Sequence, residues 1–127
     1  MRRSSRGFTL VELLVVVVII GVLAAIAIPK FQSTKGKANA ATLKSDLRNL
    51  ATAQEAYFYE NFTYSTNLAA LHTTLSTGVT ITWGTVGPSG WSAKITHPLA
   101  YPIECAIFMG SVAPMPPATV EGQLLCQ

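Results

Sequence analysis

The longest uninterrupted apolar pattern in the chain lies near its start. Residues 8–28 contain one charged residue, Glu12, and no proline. A segment that is apolar on every side predicts a helix made for lipid or for the interior of an assembly. Its 21 residues would form a helix of about 31 Å, close to the hydrocarbon thickness of a bilayer. We therefore predict a membrane-spanning helix here.

An amphipathic pattern follows this segment. Pro29 removes a backbone donor, so we expect it to kink the helix without ending it. Residues 30–60 contain no proline and one glycine, Gly36, and they are rich in good helix formers. Apolar or packing side chains recur along them at helical spacing, at Leu43, Leu47, Leu50, Gln54 and Phe58. These residues predict a second helical stretch with one face packed on a small domain.

Aromatic residues concentrate where this helix is predicted to end. They are Tyr57, Phe58, Tyr59, Phe62 and Tyr64. We interpret them as an aromatic cluster that packs where the helix passes into a loop, because nothing in the sequence requires ligand stacking or electron transport.

The pattern changes to short strands in the last third of the chain. Residues 79–84 alternate and are β-branched, residues 85–90 are turn-like, and residues 91–96 read as the returning strand of a hairpin with a longer loop. Residues 104–109 predict a third strand, whereas the prolines in 113–118 exclude a central one. The predicted fold is α+β, with one long N-terminal helix packed on an antiparallel sheet of three to four strands.

Composition and charge support an anchored domain. Only 12% of the 127 residues are charged, against about 25% in ordinary soluble domains. The net charge of +3 comes from Arg2, Arg3 and Arg6, since the remaining chain has six basic and six acidic residues. This balance gives no support for a nucleic-acid site. The basic start favours a cytoplasmic N-terminus, although Lys30, Lys35 and Lys37 make the far flank basic too.

Glu12 is the feature that a simple anchor does not explain. A carboxylate deep in a bilayer is costly, by about 2.5–3.5 kcal/mol at the centre. Glu12 either extends to the headgroups or pairs with a cation, and cleavage after Gly7 would create one, the α-amino group of Phe8. An ordinary secretory signal has a shorter apolar stretch of about 7–15 residues, so cleavage near residues 23–27 is a minor alternative.

The opening of the chain resembles a known signature. "RGFTLVELLVVVVIIGVLAAIAIP" is similar to the N-terminus of type IV prepilins and of type II secretion pseudopilins. The resemblance implies cleavage between Gly7 and Phe8 by a membrane prepilin peptidase, and N-methylation of Phe8. Glu12 matches the glutamate that engages the N-terminal amine of a neighbouring subunit. Gly21 and Pro29 match a helix-weakening glycine and a kinking proline.

This resemblance also implies a division of the chain. We expect a leader peptide at 1–7, a transmembrane and filament-core helix at 8–29, an amphipathic helix at 30–60, and a β-sheet domain with a disulfide-bounded loop at 61–127. The expected partners are identical subunits in a filament, the prepilin peptidase and methylase, and an inner-membrane assembly platform. The expected location is the inner membrane, in a single pass, and then an extracellular pilus.

Three functions remain open at this point. The first is a structural subunit of a type IV pilus, serving adhesion, motility or DNA uptake. The second is a pseudopilin of a type II secretion system, which forms a short periplasmic filament. The third is a singly anchored extracytoplasmic binding domain that never polymerises. We expect no enzyme activity, since no nucleophile–base pair, phosphate loop or paired acids forms a motif.

The cysteines and histidines offer no metal site. Cys105 and Cys126 are too few to close a structural zinc site, and they form a disulfide if this end lies outside the cytoplasm. The alternative is two unrelated buried thiols. His72 and His97 read as ordinary surface or loop residues. Some pseudopilins carry calcium in the C-terminal loop, but only two acids, Glu104 and Glu121, follow residue 74 here, too few for a typical calcium site. We predict no cofactor and no metal.

Overall fold

A computed structural model of the protein describes residues 7–127, which form two compact units. The first unit ends at Thr34 and the second is Lys35–Gln127. The predicted leader lies outside the described residues except for Gly7. The elements, in chain order, are α1 (Leu10–Asn61), β1 (Thr80–Gly87), β2 (Gly90–Thr96), a short 3₁₀ helix (Pro98–Ala100), β3 (Glu104–Gly110) and β4 (Leu125–Cys126).

The long N-terminal helix is confirmed. Helix α1 continues through Pro29, although proline lacks the N–H that would close the local backbone ladder. Just beyond it, the hydroxyls of Ser33 and Thr34 donate to the Lys30 carbonyl at 3.1 and 3.0 Å. The division between an apolar and an amphipathic part at residues 29 and 30 stays a prediction.

The sheet contains four antiparallel strands in the order β1-β2-β3-β4. This confirms the predicted sheet of three to four strands. The third strand lies where the sequence placed it, and residues 113–118 contain no strand. The short β4 pairs with β3 so that Cys126 lies opposite Cys105. The end of the chain is therefore part of the sheet.

The loop of the first hairpin is shorter than the sequence predicted. The turn expected over residues 85–90 is wrong, because β1 continues to Gly87, which pairs with Gly90. The strand can continue because its register shifts between Trp83 and Val86, and the Ser92 hydroxyl accepts the Thr85 N–H at 3.0 Å. The side chain thus replaces a backbone partner at the irregularity.

Packing of α1 on the sheet occurs within the second unit. Leu43, Leu47 and Leu50 are fully buried against β-sheet residues that include Trp91 and Ile95. Each such leucine contributes roughly 1.5–3 kcal/mol relative to an exposed one. The leucine spacing on the helix therefore produces the α+β architecture that the sequence predicts.

Two buried polar side chains fasten the loop after α1 to the helix. The Asp46 carboxylate accepts the backbone N–H and the hydroxyl of Ser76, both at 2.9 Å. The Gln54 amide donates to the Ser65 carbonyl at 2.6 Å and accepts the Ser65 N–H at 3.1 Å. A buried carboxylate or amide without such partners would be strongly destabilising. The loop is thus held by directional bonds in addition to apolar burial.

The predicted aromatic cluster is smaller than expected. Phe58 stacks on Tyr64 with ring centroids 4.6 Å apart, and Tyr64 lies 6.4 Å from Trp91. The prediction is wrong for Tyr59 and Phe62, which are 85% and 76% exposed. Tyr59 falls on the face of α1 turned from the sheet, and Phe62 adopts a left-handed backbone conformation just after the helix ends.

Two glycines in the sheet provide a matched test of the β2–β3 contact. Gly110 has a φ of 80°, and a Cβ there would collide with the Ser89 carbonyl and with Gly90. A Cβ on Gly87 would meet nothing within 4 Å. We expect Gly110→Ala to lower the free energy of unfolding by about 1–3 kcal/mol and Gly87→Ala to leave it nearly unchanged. Denaturant titration of the detergent-solubilised chain, followed by tryptophan fluorescence, measures both; equal losses would contradict the contact.

Candidate functional site

The first unit exposes a continuous apolar surface. Its large apolar side chains are all exposed, from 47% at Val16 to 80% at Phe8. Soluble proteins rarely expose an apolar patch of this size. By length and composition, α1 is apolar enough to cross a membrane near its N-terminal end. The side chains concerned are Phe8, Leu10, Val11, Leu13, Leu14, Val15, Val16, Val17, Val18, Ile19, Ile20, Val22, Leu23, Ile26, Ile28 and Phe31.

Thr9 and Glu12 close the first turn of α1 reciprocally. The Thr9 hydroxyl accepts the Glu12 N–H at 3.2 Å, while the Glu12 carboxylate accepts the Thr9 N–H at 2.8 Å. The same hydroxyl donates to that carboxylate at 2.8 Å. This is the capping-box arrangement, which satisfies backbone donors that a helix start leaves without partners. The role of Thr9 was not predicted from the sequence, although the spacing Thr-x-x-Glu is its signal.

The geometry leaves part of the Glu12 carboxylate available. Both hydrogen bonds from Thr9 end on Oε2, and within the described residues Oε1 accepts none. A carboxylate has acceptor capacity on both oxygens. An apolar depression lined by Phe8, Val11 and Val15 adjoins the Glu12 side chain. Glu12 can therefore cap its own helix and accept a further donor at the same time.

The glycines of the predicted site are not required by packing. A Cβ added at Gly7 or at Gly21 would meet no atom of this chain within 4 Å. Both lie in the first unit, and Pro29 lies there within α1. Side-chain packing within the described chain therefore does not explain glycine at these two positions. The roles predicted for Gly7, Phe8, Glu12, Gly21 and Pro29 stay predictions.

The predicted disulfide is present. Cys105 and Cys126 are bonded, 21 residues apart in sequence, and they form a directly opposed pair of β3 and β4. Closing a loop of this size stabilises by roughly 3 kcal/mol in the chain-entropy model. The bond thus holds the C-terminal strand against the sheet.

Three of the four remaining candidate side chains have structural partners, and His72 is exposed, as predicted for a surface residue. The His97 Nδ1 accepts the Leu99 N–H at 3.0 Å at the start of the 3₁₀ helix, a role that was not predicted from the sequence. Glu104 forms an ion pair with Lys94 at 3.1 Å, and Glu121 accepts the Gly110 N–H at 2.8 Å. Among residues 7–127, no three histidines, cysteines or acids lie together as metal ligands would.

Comparison with known proteins identifies the N-terminal segment. The family described as "Prokaryotic N-terminal methylation motif" matches residues 2–28. The chain is 49% identical over 61 residues to the type IV major pilin protein PilA of Myxococcus xanthus. It is 43% identical over 63 residues to the type II secretion system core protein G of Pseudomonas aeruginosa. It is 41% identical over 69 residues to the type IV wide pilus major component PilA4 of Thermus thermophilus.

These similarities cover only part of each protein. They span 48%, 50% and 54% of this chain, and 28%, 44% and 53% of the respective relatives. The chain therefore spans about half the length, or less, of the curated relatives it matches.

The capping arrangement predicts a local effect of Thr9→Val, which removes the hydroxyl at nearly constant volume. Loss of an N-cap costs about 1 kcal/mol, or roughly a fivefold faster opening of the first turn. Amide hydrogen exchange of the full chain in detergent micelles should therefore accelerate at Val11 and Glu12. Thr34→Val is the control, since Thr34 bonds only a mid-helix carbonyl. Unchanged exchange at the first turn would contradict the capping role.

Proposed function

From the similarity of its N-terminal half to type IV pilins and type II secretion pseudopilins, we propose that this chain belongs to their family and is a structural subunit of a type IV pilus. In this proposal the chain is cleaved, N-methylated and polymerised from the inner membrane into an extracellular filament. The observation that carries the proposal is one carboxylate, Glu12, at the start of an otherwise uncharged apolar helical segment whose large side chains are exposed.

The proposed assembly mechanism follows from that surface. The apolar side chains exchange lipid for the apolar side chains of other copies, so little hydrophobic free energy separates the two environments. Glu12 then determines the register, because a charge without a partner in a low-dielectric core is costly. Its counter-ion is the α-amino group of Phe8 on a neighbouring copy. Oε1 can accept a hydrogen bond from that amine while Oε2 keeps its hydrogen bonds from Thr9.

We propose processing between Gly7 and Phe8 by a prepilin peptidase and methylase. The fold supports this in one respect: a Cβ at Gly7 would meet no atom within 4 Å. Because packing within the chain does not require glycine at this position, recognition by an external enzyme is the explanation that we propose for it. Cleavage creates the Phe8 amine four residues before Glu12, at a helix start where the dipole is already positive. A nearby carboxylate therefore compensates both the charge of the amine and the positive end of the dipole.

The proposed division of labour follows the predicted segments. Residues 8–29 serve as membrane anchor and filament core, residues 30–60 carry the domain, and residues 61–127 form the part exposed on the filament. Gly21 and Pro29 are proposed to let the helix bend or partly unwind during packing, since both weaken helices. An inner-membrane platform is the proposed assembly partner, and the part after the anchor is proposed to lie outside the cytoplasm.

A pseudopilin of a type II secretion system is the second candidate. The similarity to core protein G of Pseudomonas aeruginosa favours it. Two features favour the pilus: the disulfide between Cys105 and Cys126, and the presence of only two acids after residue 74, Glu104 and Glu121, which are too few for a typical calcium site. A singly anchored binding domain is the third candidate; it accounts for the bonds between Glu12 and Thr9 but gives no role to the Oε1 atom of Glu12.

Mass spectrometry of the mature chain tests the processing. We expect the N-terminal residue to be Phe8 carrying one methyl group, and Gly7→Val to abolish cleavage because a β-branched residue replaces the glycine. Gly21→Val is the control that should still be cleaved. A mature chain that retains residues 1–7 would refute the proposal.

Replacing Glu12 by Gln tests the charge separately from the cap. Glutamine keeps an oxygen that can accept the Thr9 bonds but cannot neutralise an amine. Losing one partner of a buried ion pair costs about 3–5 kcal/mol, so we expect filament yield to fall roughly a hundredfold or more while the membrane pool is kept. Sheared filaments and membranes are compared by immunoblot, with Thr9→Val as the variant that keeps the charge. A normal yield from Glu12→Gln would favour a simple anchor.

Electron microscopy of sheared cell-surface material separates the two filament candidates. We expect long surface fibres composed of this chain. Their absence from expressing, secretion-competent cells would favour the pseudopilin.

A further inference from the structure

One carboxylate of the chain has no partner within the described residues. The chain has six acidic residues, and five of them accept hydrogen bonds or form an ion pair. The sixth acid is Glu60, which lies in the last turn of α1 and is exposed. Of the other five, Glu55 accepts a hydrogen bond from the Tyr64 hydroxyl at 3.2 Å, and burial, followed by the charge of Glu55 and this bond, raises the pKa of Tyr64 above its usual value. The five engaged acids are Glu12, Asp46, Glu55, Glu104 and Glu121.

Glu60 lies at the edge of a groove of about 350 Å³ in the second unit. The groove lies between the end of α1 and residues 70–72, and its lining includes three alanines and Leu71 beside the polar side chains. A long side chain with an apolar stem and a cationic end fits such a groove, since the stem contacts the floor while the charge reaches the carboxylate. The lining residues are Ala53, Ala56, Tyr57, Glu60, Asn61, Ala70, Leu71 and His72.

Cationic side chains of this kind form a row on the same helix. Lys37, Lys44 and Arg48 are exposed, and none has an ion-pair partner in the described part of the chain. Their spacing of seven and four residues places them on one face. At about 100° per residue, that face is turned roughly 120–160° from Glu60 around α1. The basic row and the acidic groove therefore flank opposite edges of the exposed half of the helix.

We propose that the groove beside Glu60 receives a basic side chain of the row Lys37, Lys44 and Arg48 from a second copy of this chain. The two surfaces are complementary in charge, and they cannot meet within one copy because they face apart. A two-fold dimer would require both on one patch, whereas surfaces on opposite sides join copies head to tail and leave each end open to another copy. This contact rests on the proposed filament and names a surface that links its subunits.

The position of the contact on the row reports the axial offset between copies. At about 1.5 Å per residue, Arg48, Lys44 and Lys37 lie roughly 18, 24 and 35 Å from Glu60 along the helix. Identifying the residue that pairs with Glu60 thus measures how far neighbouring second units are shifted. Electrostatic pairs of this type contribute specificity by excluding wrong registers.

Photo-crosslinking in membranes and in sheared filaments tests the contact with the full chain. A benzophenone amino acid replaces the exposed Ala56 of the groove, and mass spectrometry locates the adduct. We expect adducts between copies within residues 37–48, reduced roughly tenfold by Glu60→Lys because like charges then face each other. When Glu60→Lys is combined with a charge reversal in the row, the adduct should return to within about threefold of its original level for one of Lys37→Glu, Lys44→Glu and Arg48→Glu, as coupled charges do.

The control and the contrary outcomes separate this contact from the proposed function. Gln123→Lys adds a positive charge in the exposed loop before β4 and should leave the adduct unchanged. Fibres that form without an adduct between copies in residues 37–48, or a loss that no reversal in the row restores, would overturn the contact alone. Adducts between copies in cells that never produce surface fibres would refute the pilus and retain the contact. Retention of the Cys105–Cys126 bond on non-reducing gels verifies that each variant is folded.

Discussion

An apolar helical surface that no part of its own compact unit covers is the constraint on which the rest of this protein depends. Between Phe8 and Phe31 the large side chains are exposed, and water cannot remain their surroundings, since burying apolar area is the dominant favourable term in folding and association. Lipid and other copies are the two surroundings that satisfy it. A subunit that moves from one to the other needs a polar feature to select its position, because apolar contacts alone are not directional.

In the proposed assembly, Glu12 supplies that direction at the cost of a charge in an apolar environment. The reciprocal bonds with Thr9 reduce this cost by giving the carboxylate two donors while it caps the helix start. A group that is partly satisfied within its own chain can remain in the membrane, and in the proposed filament its other oxygen accepts a donor from another copy. The cap and the proposed ion pair thus use different atoms of one carboxylate.

The second unit has a separate physical basis. Buried leucines of α1 meet the sheet, Asp46 and Gln54 fasten the following loop, and a disulfide holds the last strand. Because directional bonds and a covalent link restrain the loops, the exposed charges on α1 are displayed on a defined surface. Glu60, which has no partner among the described residues, and the basic row can therefore serve as the two sides of the proposed contact between copies.

Pattern alone determined the apolar segment, the amphipathic stripe at Leu43, Leu47 and Leu50, the third strand and the N-terminal signature, because each depends on residues close together in sequence. The cysteine pairing was predictable only as one of two alternatives. The tertiary structure decided the length of the first hairpin, the role of Asp46 and the exposure of Tyr59 and Phe62. The hairpin length and the role of Asp46 depend on residues far apart in the chain, such as Asp46 and Ser76, and on register shifts that no local pattern encodes, whereas Phe62 is exposed where the backbone becomes left-handed after α1. Glu60 became evident as the one acidic side chain without a partner among the described residues only when the fold had assigned partners to the other five.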